Sequence, residues 1–136
     1  MLKVTQIAPI IPAMLNTCRA LILTIAATLT LTAQAGDAAI TEVTIKPAGD
    51  GMYQVSVTLL HADTGWDHYA NRWDVLDEAG NLLGSRELLH PHVNEQPFTR
   101  SLRLAIPDSV KTITIVAADS VHGDNKETVS AEVPRE

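Results

Sequence analysis

Five histidines are the side chains of this 136-residue chain best suited to chemistry, and they fall in three short segments. His61 and His68 bracket HADTGWDH, His90 and His92 flank Pro91, and His122 lies in DSVHG with Asp119 and Asp124 nearby. Imidazole nitrogens bind Zn²⁺ or Cu²⁺, and carboxylates complete mixed nitrogen–oxygen sites for the same ions. His90-Pro91-His92 is the sharpest local pattern. In an extended segment, residues two apart share a side and lie roughly 7 Å apart, so two rings can converge on one ion. Pro91 restricts His90 to extended backbone, which preorganises the pair in β geometry and splays it in polyproline II geometry. Glu95 follows closely, and His122 and His68 come from other segments. The expected metal ligands are therefore His90, His92, His122, His68 and Glu95, holding zinc or copper. His61, nearest a strand end, is the weakest candidate. Each histidine also has a plainer role open to it, bonding a carbonyl within its own loop.

A second constellation is aromatic. Trp66, Asp67 and Tyr69 are the candidate partner-binding residues, in a protein- or glycan-binding reading that needs no metal. Trp66 is expected as a lid over the end of the fold in preference to an exposed platform. Ser120, His122 and Asp124 are close in sequence, but no nucleophile-elbow motif accompanies them. With no glycine-rich phosphate loop and no CxxC in the chain, no motif specifies a reaction.

The elements that must position these residues read as strands. Ile40–Lys46, Tyr53–Leu60, Arg72–Leu76, Leu82–Leu89, Phe98–Ile106, Thr112–Ala118 and Thr128–Val133 show period-two alternation or β-branched enrichment, separated by Gly, Pro and Asp turns. In Tyr53–Leu60 the inward set is Tyr53, Val55, Val57 and Leu59. No stretch has a convincing helical period. About seven strands in about 100 residues predict an all-β, antiparallel two-sheet sandwich of immunoglobulin or fibronectin type III kind, with Trp73 in its core. If successive strands run antiparallel, alternate connections emerge at one end. Connections 61–71, 90–97 and 119–127 are the long ones and contain every histidine, so they share an end if 82–89 is a strand. Arg72, Arg100 and Arg103 are expected on outer faces, paired with Asp74 or Glu87.

The first 35 residues read as a signal peptide. Lys3 and Arg19 are the only charges before Asp37, and the apolar run Ala20–Ala33 closes on Ala33-Gln34-Ala35, a small-x-small cleavage pattern. Met14 is the better-placed start. A transmembrane helix needs roughly 20 apolar residues, more than this run offers, so no stable membrane insertion is expected after cleavage. The expected location is periplasmic or secreted, with residues 36–136 as one domain. Cys18 lies in the signal, which leaves the mature domain without a disulfide. Cleavage removes two of the 10 basic residues and none of the 16 acidic ones, giving a net charge of −8. An acidic surface disfavours nucleic acid and anionic lipid as partners and favours cations.

The blocks GWDHYANRW, ELLHPHVNEQPFTRSL and DSVHG together resemble those of a family of small, signal-bearing bacterial proteins with no assigned activity. The resemblance covers Tyr53 to Gly123, and it implies that the three blocks act as a unit without naming what they do.

Overall fold

Alternation along Met52–Leu60 sets the architecture. Tyr53, Val55, Val57 and Leu59 are buried while Gln54 is exposed, as expected where one face of a strand meets a core. The computed structural model describes residues 36–135, so the signal-peptide reading, including Met14 and Cys18, lies outside the described residues. The strands are β1 (Ala39–Pro47), β2 (Met52–Leu60), β3 (Ala70–Leu76), β4 (Leu82–Glu87), β5 (Phe98–Ala105), β6 (Thr112–Asp119), β7 (Gly123–Asp124) and β8 (Val129–Glu132). They form two antiparallel sheets and do not close into a barrel. One has the order β1-β2-β5; the other runs β4-β3-β6, with β7 and β8 taking successive stretches of the far edge of β6. The result is an all-β sandwich, as expected. The extra strand, β7, is a two-residue pairing inside the sixth connection, too short to alternate.

The core lies between the sheets. β2 and β5 contribute Val55, Val57, Leu59, Phe98 and Leu104, and β3 and β6 contribute Trp73, Val75, Ile113, Ile115 and Ala117. Trp73 is fully buried, and the small Ala117 beside it on β6 leaves room for the indole. Burying such a side chain contributes roughly 1.5–3 kcal/mol. Outside, the β2–β5 pair carries polar cross-strand bonds, Ser56 to Ser101 and Thr58 to Thr99, each at 2.7 Å.

Register fixes which ends coincide. Ala39 at the start of β1 pairs with Leu60 at the end of β2, and Phe98 at the start of β5 pairs with Leu59. In the second sheet Ala70 pairs with Asp119, and Arg72 with Glu87. The connections 61–69, 88–97 and 120–122 therefore emerge together, and all five histidines lie in them. The opposite end holds the tight turns. There Asp77 accepts from the Ala79 and Asn81 N–H groups, and Glu78 Oε1 accepts from Lys111 and Thr112 N–H, which ties the β3–β4 turn to the start of β6.

One arginine departs from expectation. Arg72 bonds Asp74 and also reaches Asp124, but Arg100 is not on an outer face. It pairs across the ladder with the buried Val57 and shares the phase of Phe98, Leu102 and Leu104, so it lies on the core-facing side of β5 near the histidine end. The two-residue period puts it there, and a guanidinium can occupy that phase because its head reaches partners beyond the strand end.

Candidate metal centre

His61 continues the inward phase of β2, Tyr53-Val55-Val57-Leu59-His61, one step past the strand, and Asp63 continues it one step further. Both are buried. His61 Nδ1 lies 2.5 Å from Asp63 Oδ1. A carboxylate only accepts, so the proton is on Nδ1 and the lone pair on Nε2. His61 Nε2 is fully buried and has no hydrogen-bond partner among the described residues. It shares that status with five other buried side-chain atoms, among them His92 Nδ1.

Asp119 arrives by the same rule on β6, as the next inward residue after Ile113, Ile115 and Ala117, and its side chain is wholly buried. Its Oδ1 accepts from the backbone N–H groups of Val121 and His122, which turns the chain back on itself. Burial alone would raise the Asp119 carboxyl; the N–H groups of His122 and Val121 and the His122 ring outweigh it and hold the group below the ordinary carboxylate range.

His68 stands between these two residues. A tight turn delivers it: Gly65, at φ 142°, bridges to His68, and Thr64 N–H donates to the His68 carbonyl. His68 Nε2 is 3.0 Å from Asp119 Oδ1, and its ring centroid is 4.9 Å from that of His61. His61, His68 and Asp119 each offer a ligand atom, all within 4.8 Å of one another, so the group could hold a metal ion. Donors at roughly 2.0–2.1 Å in a tetrahedral site are about 3.3 Å apart, so the widest separation would close by at most about 1.5 Å around an ion. His122, half-exposed, packs its ring 5.1 Å from that of His68 and keeps Nδ1 3.1 Å from both Asp119 oxygens.

The other expected residues gather next to this cluster, around Arg100. His92 is buried, stacked on Phe98 at 3.9 Å, with Nε2 3.0 Å from Arg100 Nη2. Arg100 only donates, so Nε2 accepts and the ring proton is on Nδ1, 4.0 Å from Asp63 Oδ2. Burial, then the Arg100 and His90 charges, hold the His92 imidazole below the ordinary histidine value. Glu95 is paired with Arg100 at 3.1 Å, and this lowers its carboxyl too. His90 is exposed; its Nδ1 bonds the Pro91 carbonyl at 3.0 Å and its ring lies 4.6 Å from that of His92. The structure thus joins His68 and His122 with His61 and Asp119, and joins His90, His92 and Glu95 with Arg100. Asp63 links the two groups, because its second oxygen accepts the His92 backbone N–H at 2.7 Å. Gln96 links them again, accepting from His61 N–H and donating to the His92 carbonyl.

Trp66 is 67% exposed, its ring edge-on to Tyr69 at 5.6 Å, which corrects the expectation of a lid. With Gly65, His90, Pro91, His92 and Glu95 it lines an open hollow of about 570 Å³. Asp67 is exposed beside it.

The fold and site describe a β-sandwich scaffold carrying a histidine–carboxylate cluster at one end. The chain matches no protein-family model. It is 41% identical over 87 residues to a protein of Halomicrobium mukohataei named "Putative lipoprotein"; the match covers 64% of this chain and 43% of that one. The chain therefore spans less than half the length of that relative. A superoxide reductase (1Fe-SOR) from Giardia intestinalis is similar over 67% of this chain and 95% of its own, at TM-score 0.42 and 18% identity. At that score the likeness carries no functional weight.

Proposed function

We propose that this protein is an exported metal-binding sandwich that takes one divalent transition-metal ion, zinc or copper, through His61, His68, His122 and Asp119. The observation that carries the reading is the grouping of His61, His68 and Asp119, whose ligand atoms lie within 4.8 Å of one another, beside a His61 Nε2 that is buried and unpartnered among the described residues. Three imidazoles with one carboxylate, and no thiolate, suit either ion. Asp63 serves as the outer partner that fixes the His61 tautomer, as carboxylates do behind metal-binding imidazoles. Relative to the ligand set expected from sequence, His68 and His122 stay, and His61 and Asp119 replace His92 and Glu95, which are engaged by Arg100, and His90, which is exposed and grouped with them. Export to the periplasm or beyond is supported by the Ala33-Gln34-Ala35 pattern and by the name of the relative.

The test is metal titration of the purified mature protein, followed by calorimetry and elemental analysis. One equivalent of zinc or copper is expected, lost in His61→Ala and retained in His90→Ala. A metal-stripped preparation that takes up neither ion would sink the reading. A second reading rests on Trp66, exposed at the rim of the 570 Å³ hollow with Asp67 and Tyr69 beside it. On that reading the same end holds an exported protein or a glycan, Trp66→Ala abolishes capture of it, and chelators have no effect on the interaction.

A further inference from the structure

The Arg100 guanidinium lies between an imidazole nitrogen and a carboxylate, two donor types that can ligate a metal. Its Nη2 lies 3.0 Å from His92 Nε2 and 3.1 Å from Glu95 Oε2, and its Nη1 lies 3.2 Å from Glu95 Oε1. An imidazole lone pair and a carboxylate thus converge on one cationic nitrogen. A second imidazole, His90, packs its ring 4.6 Å from that of His92. The His90 Nε2 atom is not the one bonded to Pro91, so it remains available.

We infer that His92, Glu95 and His90 form a second divalent-cation site that Arg100 keeps filled from within, so that the chain takes one metal ion instead of two. The count of one in wild type rests on the proposed His61 centre; the blocked second site does not. Three observations support it. The two principal donors already point at a common atom, so an ion there needs a contraction of about 1 Å on each side to reach ordinary bond lengths of about 2.0–2.2 Å. Glu95 is exposed and can make that movement, while His92 is held by its stack on Phe98 and by the Asp63 bond to its backbone. Finally, Arg100 is seated: Nη1 donates to the Thr99 carbonyl at 2.8 Å and the guanidinium carbon lies 5.6 Å from the Phe98 ring centre. A fixed charge that cannot be deprotonated repels a dication and uses the lone pairs the dication needs. Without Arg100 the set is two imidazoles and a carboxylate, a donor combination suited to Zn²⁺ and Cu²⁺.

The experiment compares stoichiometry in wild-type protein and in Arg100→Met, with Arg100→Gln as the second variant should the first fail to fold by circular dichroism. Each is titrated with Zn²⁺ and with Cu²⁺. Wild type takes one equivalent, Arg100→Met takes two, and Arg100→Met with His92→Ala returns to one. Arg100→Lys, which retains a cation, stays at one. Folded Arg100→Met and Arg100→Gln proteins that still take the wild-type number of ions overturn the inference. So does a wild-type ion that depends on His92 and not on His61. Should wild type take none, the His61 centre fails, and a single His92-dependent ion in Arg100→Met still upholds the second site.

Discussion

At the scale of the residue, the candidate centre is made by polar side chains standing in core phase. His61 and Asp63 extend the buried set of β2, and Asp119 extends that of β6, so the sandwich interior ends in a layer of imidazole and carboxylate. Asp63 is the pivot of this layer, accepting from His61 Nδ1, Ala70 N–H and His92 N–H. Asp63→Asn replaces one acceptor oxygen with a donor that must face a donor. It should destabilise the metal-free domain by about 1–3 kcal/mol in urea unfolding and weaken zinc binding by roughly 10–100-fold. His92 gives a separate pH prediction. Its folded-state pKa is depressed below the ordinary 6.5 by burial, Arg100 and His90, so the unfolded chain binds the proton more readily. The associated stability is present above about pH 6.5 and is lost as pH falls through the folded value. The urea midpoint should drop on acidification from pH 7 to 5, and His92→Phe should remove part of that slope. The sequence concealed these roles because period-two alternation identifies a face without saying whether a polar residue on that face is buried. His61 and Arg100 are both in phase, yet their polarity points to a loop and to an outer face.

Among the elements, strands were the legible part. Tyr53–Leu60 and Thr112–Ala118 alternate because every second side chain enters the core, and that pattern is enough to call for a sandwich. Parity of the connections then placed the histidines at one end, since Leu82–Glu87 is indeed a strand. What parity could not supply was which histidines meet. That depends on how far each loop folds over the sandwich end, which the Asp63 and Gln96 bonds decide. β7 was also illegible, because two residues carry no period. At the closed side of the sandwich, β4 passes close over β5: a Cβ on Gly84 would lie 3.0 Å from Leu104 Cδ1 and 3.1 Å from Leu102 Cδ2. Gly84→Val should therefore overpack this contact and cost about 1–3 kcal/mol in denaturant unfolding, with little change in metal uptake. Gly65→Val should act the other way round. Nothing crowds a side chain there, but φ 142° disfavours one, so the turn that delivers His68 would distort and metal affinity would fall with only modest loss of stability.

For the molecule as a whole, stability rests on the apolar core in a domain without cysteine. An ion bound only by the folded state would add to it. At a free-ion concentration of about 100 times Kd the gain is about 2.7 kcal/mol, which for a domain of this size raises Tm by roughly 10–20 °C. Differential scanning calorimetry with zinc or copper should show that rise, and excess chelator should reverse it; an unchanged Tm in saturating ion would count against the His61 centre.

The register has one more consequence, a matter of how the protein is held. Ala39 is level with Leu60 at the histidine end, whereas Arg135 is clamped at the other, donating to the carbonyls of Pro107 and Val110 and to the Tyr53 hydroxyl. The path of the chain through the domain thus has a polarity. Coupled to a solid support through residues ahead of Ala38, the domain turns its imidazoles towards the support. Coupled beyond Arg135, it presents them to the solution. A bulky chelated ion should reach the second arrangement faster than the first, and a histidine tag belongs on the Arg135 side, where it cannot lend its own ligands to the centre.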